Sequence, residues 1–223
     1  MVGFVVAMEV EARPLLEKME IKERFKLTSR DCYAGRLYGK EAALIISDIG
    51  KVNAASATQA LLFKFPQVDK IVNYGVAGAV NPELKICDIC AVEKVLQYDF
   101  DLSAIDDVPV GYIQNLKRQY IFSDAALFEK VFAILGKRAV VATADRFSAK
   151  REEASFIKSL GADMREMELG AIAHVCCLSE VPFVGIKAVS DTAEGDASAD
   201  FKENLIRSCL SIEEYLPKII EAL

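Results

Sequence analysis

Near-continuous apolar runs of about six residues alternate along this chain with stretches in which apolar residues recur every three or four positions, the pattern of buried strands interleaved with helices packed on them. Val2–Ala7, Ile71–Tyr74, Ile86–Leu96, Arg138–Thr143 and Phe183–Val189 read as strands, and Cys32–Leu37 with Lys40–Asp48 as a hairpin around Tyr38-Gly39. Helices are predicted over Glu9–Met19, Ala54–Phe65, Ser123–Leu135 (capped by Ser123), Lys150–Leu160 and Asp200–Leu223, the last with Leu205, Cys209, Ile212, Leu216 and Ile219 on one face. Pro14 fits a first helical turn, so the first helix should begin near Ala12 and leave Glu11 at its mouth. Gly50 should turn the chain where strand becomes helix, and Gly75–Ala79 reads as a small-residue loop that a ligand could approach closely. Gln97–Asn115 lacks periodicity and is long for a compact fold, which points to a functional or interface loop. No repeat, linker or low-complexity segment interrupts the pattern, so the expectation is one α/β domain over residues 1–223.

The stretch Met164–Asp191 carries the densest chemistry. Glu168 opens a helix beside the apolar positions Met167, Ala171, Ile172 and Val175, and Ser190-Asp191 closes the strand that follows Pro182. In open α/β sheets ligands bind beyond the carboxyl ends of the strands, and the strand-to-helix junctions here hold Met8 to Glu11, Asp48 to Lys51, Gly75 to Gly78, Asp145 to Ser148 and Ser190-Asp191. Singly, a strand-ending aspartate is most often a turn former and a first-turn glutamate a dipole-stabilising residue. Together the acids suit a polar ligand with an aromatic portion rather than an anion.

Composition narrows the classes. A net charge of −6 and a pI near 5.1 argue against a nucleic-acid surface. The six cysteines are spread through a chain that is 52% hydrophobic and read as reduced core thiols. Cys87-Asp-Ile-Cys90 has zinc or redox spacing, but the sole histidine, His174, lies far along the chain, so neither metal nor cofactor is expected. No apolar run is long enough to span a membrane and the amino terminus enters a strand directly, which gives the expectation of a cytoplasmic protein.

Several of these segments match one family in order: Ala7-Met8-Glu9-Val10-Glu11, Ile49-Gly50-Lys51-Val52-Asn53-Ala54-Ala55, Glu166-Met167-Glu168 followed by Ala171-Ile172-Ala173-His174-Val175-Cys176, and Ser190-Asp191. Over essentially its whole length the chain resembles the nucleoside phosphorylase and nucleosidase superfamily, most closely its 5′-methylthioadenosine/S-adenosylhomocysteine nucleosidase branch. The resemblance implies a twisted mixed β-sheet, partly closed into a barrel and flanked by helices, in a homodimer with the loop Tyr98–Tyr112 near the interface, acting on a nucleoside and water. It implies Asp191 as the acid at purine N7, Glu168 as acceptor of ribose hydroxyls, Glu11 as the residue that orients or deprotonates water, and Met167 against the sugar. Phe147 would stack on the base, Ser148 would read its edge through the backbone, and Met8, Ile49 and Phe201 would line the ribose and 5′ group, with Val76 and Ser190 completing the pocket.

Phosphorolysis is the alternative. Phosphorylases of the superfamily bring an arginine and a serine to the positions held here by Asn73 and Val76, and neither supplies charge for a phosphate, so hydrolysis is favoured. Val76, Ser148, Arg146 and the loop Tyr98–Tyr112 depart from the branch's usual pattern, which leaves a related adenine or hypoxanthine nucleoside open as substrate. A nucleoside-binding protein without turnover is the reading from another class, and retention of all three acids argues against it.

Overall fold

The computed structural model describes residues 1–148, 150–192 and 197–223. Its elements in order are β1 (Val2–Val6), α1 (Glu9–Leu16), β2 (Met19–Leu27), β3 (Arg30–Leu37), β4 (Lys40–Ile46), α2 (Lys51–Lys64), β5 (Lys70–Ala79), β6 (Ile89–Gln97), β7 (Ile121–Phe122), α3 (Ala125–Leu135), β8 (Arg138–Thr143), α4 (Arg151–Ser159), β9 (Met164–Glu166), α5 (Leu169–Leu178), β10 (Phe183–Thr192), α6 (Ala197–Leu210) and α7 (Leu216–Ala222).

All the strands join one mixed sheet in the order β10-β6-β8-β9-β5-β1-β4-β3-β2, with β7 beside β6. Because β10 also pairs with β5, the strands β5, β9, β8, β6 and β10 close into a barrel, and β1 to β4 extend the sheet from β5. The expected partly closed, helix-flanked sheet is therefore what forms. Alternation along the strands sends apolar side chains to both faces. One core packs Ala54, Ala57 and Leu61 of α2 with Leu169, Ile172 and Cys176 of α5. A second packs Ala12 and Leu15 of α1 with Phe128 and Val131 of α3 and Leu216 and Ile219 of α7, and a third, smaller one gathers Leu96 and Ala142 with Ala154 and Ile157 of α4. The cysteines are all free, four of them buried, in keeping with core thiols.

Several local expectations need correction. Gly75–Ala79 is not a loop but the second half of β5, and burial on both sides holds it extended. Helix α1 begins at Glu9 and puts Glu11 inside its first turn, because the N–H groups of Glu11 and Ala12 both reach Met8 O before Pro14 is met. It ends at Leu16, and Met19 starts the edge strand β2, whose mostly exposed residues gave little period-two signal. Asp124 rather than Ser123 caps α3, accepting from Leu127 N at 3.0 Å, while the Ser123 hydroxyl donates to Val92 O. The closing helix is two helices. Pro217 sits in the first turn of α7, where its missing N–H costs nothing, whereas an uninterrupted helix would have placed its ring against the preceding turn.

Candidate active site

Strands β1, β4, β5 and β10 run parallel, so their carboxyl ends share one edge of the sheet. Strand β9 runs antiparallel to β5, pairing Met164 with Ala79 and Arg165 with Gly78, so it starts at that edge and carries Glu166 back along β5, beside Thr143 of β8. These ends surround a cavity of about 320 Å³. All eleven residues singled out from the sequence line it: Glu11, Glu168 and Asp191, the apolar Met8, Ile49, Val76 and Met167, the aromatics Phe147 and Phe201, and the hydroxyls Ser148 and Ser190.

Each acid is fixed by backbone that the fold brings to it. Glu11 is 3% exposed; one carboxylate oxygen accepts from Met8 N at 2.9 Å and the other from Val76 N at 2.8 Å. Glu168 stands at the N-cap of α5 and accepts from Gly50 N at 2.9 Å, where φ of 102° admits glycine readily and other residues only with strain. Asp191 follows a bulge in which Ser190 is the extra residue, since Val189 pairs with Ala77 and Asp191 with Gly78. Such an insertion re-aims the next side chain. Here it leaves Asp191 Oδ1 accepting from the Ser190 hydroxyl at 2.9 Å and Oδ2 3.4 Å from Arg165 Nη2.

The glycines of β5 act differently from the close ligand approach expected of them. A Cβ at Gly78 would lie 2.5 Å from Asp191 Oδ2, and one at Gly75 would lie 2.7 Å from Glu11 Oε1. Their missing side chains make room for the two acids.

Burial sets the protonation. It raises the Asp191 carboxyl despite the opposing pull of Ser190 and Arg165, and raises Glu11 despite Lys187 and two N–H donors. Burial, reinforced by the neighbouring Glu166 carboxylate, pushes Glu168 up to about 8. The cavity thus holds three carboxyls that keep a proton more readily than exposed ones, Asp191 among them.

Two cations and one acid escaped the sequence reading. Glu166 accepts from the Thr143 hydroxyl, from Glu168 N at 3.0 Å and Leu169 N at 2.7 Å, and from Lys187 Nζ at 2.9 Å. Lys187, 1% exposed, is the cation that balances Glu11, Glu166 and Glu168. The available signal was a lysine in the middle of the apolar run Phe183–Val189, a place where a charge persists only if paired. Arg165, 7% exposed, is the other. Among the described residues no cluster of histidine, cysteine and acidic side chains is arranged to hold a metal ion.

The likeness to known proteins extends along the whole chain. A 5′-methylthioadenosine/S-adenosylhomocysteine nucleosidase of Staphylococcus epidermidis is 34% identical over 232 residues, covering 100% of both chains. The native structure of futalosine hydrolase of Helicobacter pylori superposes with a TM-score of 0.93 at 29% identity, covering 100% of this chain and 97% of that one. An aspartate-to-asparagine variant of the Helicobacter pylori 5′-methylthioadenosine/S-adenosylhomocysteine nucleosidase, with 5′-methylthioadenosine in its active site, superposes equally well at 30% identity over 100% and 98% of the two chains. Residues 1–221 match the model of the phosphorylase superfamily, and the chain belongs to that family.

Proposed function

We propose that the whole chain, residues 1–223, is one catalytic domain that hydrolyses the N-glycosidic bond of a 5′-substituted purine nucleoside, the methylthioadenosine and S-adenosylhomocysteine named for its relatives being the substrates to expect. The convergence of Glu11, Glu168 and Asp191 on a single cavity with Phe147 and Met167 carries this reading.

In the reaction the C1′–N9 bond breaks, its electrons pass to the purine, and Asp191 gives a proton to N7 as charge builds there. That interaction strengthens toward the transition state, which is what lowers the barrier. Glu168, backed by Gly50, accepts from the ribose hydroxyls. A water attacks C1′, and Glu11, aligned by two N–H donors, takes its proton. Phe147 is half-exposed at the mouth and meets Phe201 edge to face with ring centroids 5.6 Å apart, so base stacking there covers an aromatic pair that otherwise faces water. Hydrolysis is preferred to phosphorolysis because Asn73 is bonded to Val5 O and Val76 is apolar, so neither can hold a phosphate, and Lys187 is spent on Glu166.

The loop Tyr98–Tyr112 is proposed to sit at a homodimer interface of a cytoplasmic enzyme. Its start is clamped by Lys51 Nζ on Asp99 at 2.6 Å and by the Tyr98 hydroxyl on Glu153 at 2.9 Å, while Phe100 and Ile105 stay exposed. No helix among the described residues is long and apolar enough to cross a membrane.

Incubation with methylthioadenosine in phosphate-free buffer should release free adenine and the reducing sugar. Turnover that requires added phosphate and accumulates a sugar 1-phosphate would overturn the assignment.

A further inference from the structure

Arg165 lies in the cavity wall with only one of its terminal nitrogens engaged. Nη2 reaches Asp191 Oδ2 at 3.4 Å, and Nη1 is buried without a hydrogen-bond partner. A guanidinium at 7% exposure with an unused donor is costly to keep unless something it can bind arrives. Its backbone is placed by antiparallel pairing with Gly78, whose missing side chain leaves room for the guanidinium, since a Cβ there would lie 3.1 Å from Arg165 Nε.

In a purine, N7 and the substituent on C6 lie side by side on one edge. Whatever flanks the carboxyl that protonates N7 therefore meets the 6-position. Here Ser190 flanks it at Oδ1 and Arg165 at Oδ2, and of the two Arg165 is the one with a buried unused donor, a group with five donors and no acceptor. An adenine 6-amino group brings two donors to that edge and finds no acceptor on the guanidinium, so it leaves Nη1 without a partner. A 6-keto oxygen is an acceptor and completes the unused Nη1. It also shares the negative charge that develops on the departing base, so the contact strengthens as the bond breaks.

We propose that Arg165 is a base-recognition residue that opens this site to 6-oxopurine nucleosides in addition to adenine nucleosides. The proposal rests on the nucleosidase reading above and assigns the 6-position of its substrate.

The test compares kcat/KM for 5′-methylthioinosine and 5′-methylthioadenosine in the wild-type enzyme, in Arg165→Gln and in Arg165→Met, alongside calorimetric binding of free hypoxanthine and adenine. The wild type should cleave the inosine form at least as efficiently as the adenosine form. Arg165→Met should lose about 30-fold or more on the inosine form relative to the adenosine form, the order expected when a polar partner of a substrate group is removed. Arg165→Gln, whose amide offers both a donor and an acceptor, should fall between them. Melting temperatures identify any variant that fails to fold, and the wild-type ratio and base binding decide the matter without it. Cleavage of the adenosine form with an inosine form at least 100-fold poorer would overturn the role of Arg165 and leave the nucleosidase reading standing. Cleavage of neither, with adenine bound and hypoxanthine not, would overturn both.

Discussion

Replacing Lys187 by methionine isolates what the buried charge cluster contributes. Methionine keeps much of the length and apolar stem and removes the ammonium that lies 2.9 Å from Glu166 Oε2. Burial alone would lower the pKa of Lys187, but Glu166, Glu168 and Glu11 together outweigh it and hold the amine charged. Taking one partner out of a buried pair costs about 3–5 kcal/mol, because the opposite charge stays behind. Glu166 keeps the Thr143 hydroxyl and two backbone N–H donors, which places the expectation at the lower end, about 3 kcal/mol. For a chain of this size that is roughly 6–12 °C in melting temperature. Thermal and urea unfolding of Lys187→Met, Glu166→Gln and the double variant give the readout. The double variant removes both charges and should regain at least half of the Lys187→Met loss. The folded single variant binds protons more tightly than its unfolded chain, so its deficit should be larger at pH 8 than at pH 6. A loss below about 1 kcal/mol, or a double variant as unstable as the sum of the singles, would refute the argument.

Asp191→Asn keeps shape and hydrogen bonding but has no acidic proton, so adenine release should fall by about a hundredfold or more; unchanged turnover in the folded variant would remove Asp191 as the proton donor. Gly78→Ala places a Cβ 2.5 Å from Asp191 Oδ2, so Asp191 must move, and turnover should drop about tenfold or more while stability falls by about 1–3 kcal/mol; wild-type kinetics would show that the acid has slack. Glu168, raised to about 8 by burial, holds its proton to a higher pH folded than unfolded, so the folded state binds more protons above the ordinary carboxyl range and stability should decline as pH rises from 7 to 8.5. Urea midpoints across that range should show the slope, and Glu168→Gln should flatten it.

Most of the strands and helices were legible along the chain, since short apolar runs signal buried strands and three-to-four spacing signals packed helices, and the acids stood out as charges at the ends of apolar runs. The motifs around Glu11, Gly50, Glu168 and Asp191 were legible for the same reason: each is a local departure from an otherwise regular apolar pattern. Residues 164–166 and 121–122 were too short to show any period, and β2 too exposed, so these strands emerge only from pairing with neighbours distant in the chain. Closure of the barrel is likewise invisible along the chain, because it depends on β10 meeting both β5 and β6. The same holds for the roles of Gly75 and Gly78: their value is the space they leave for Glu11 and Asp191, contributed by other segments. Lys187 stands out in one dimension only as a charge inside an apolar run, and Glu166 and Arg165 not at all. Tertiary structure alone decides that they are buried, and a buried charge is defined by its partners, which the chain brings from up to 26 residues away in the case of Arg165 and Asp191 and from far beyond that for Glu11 and Val76.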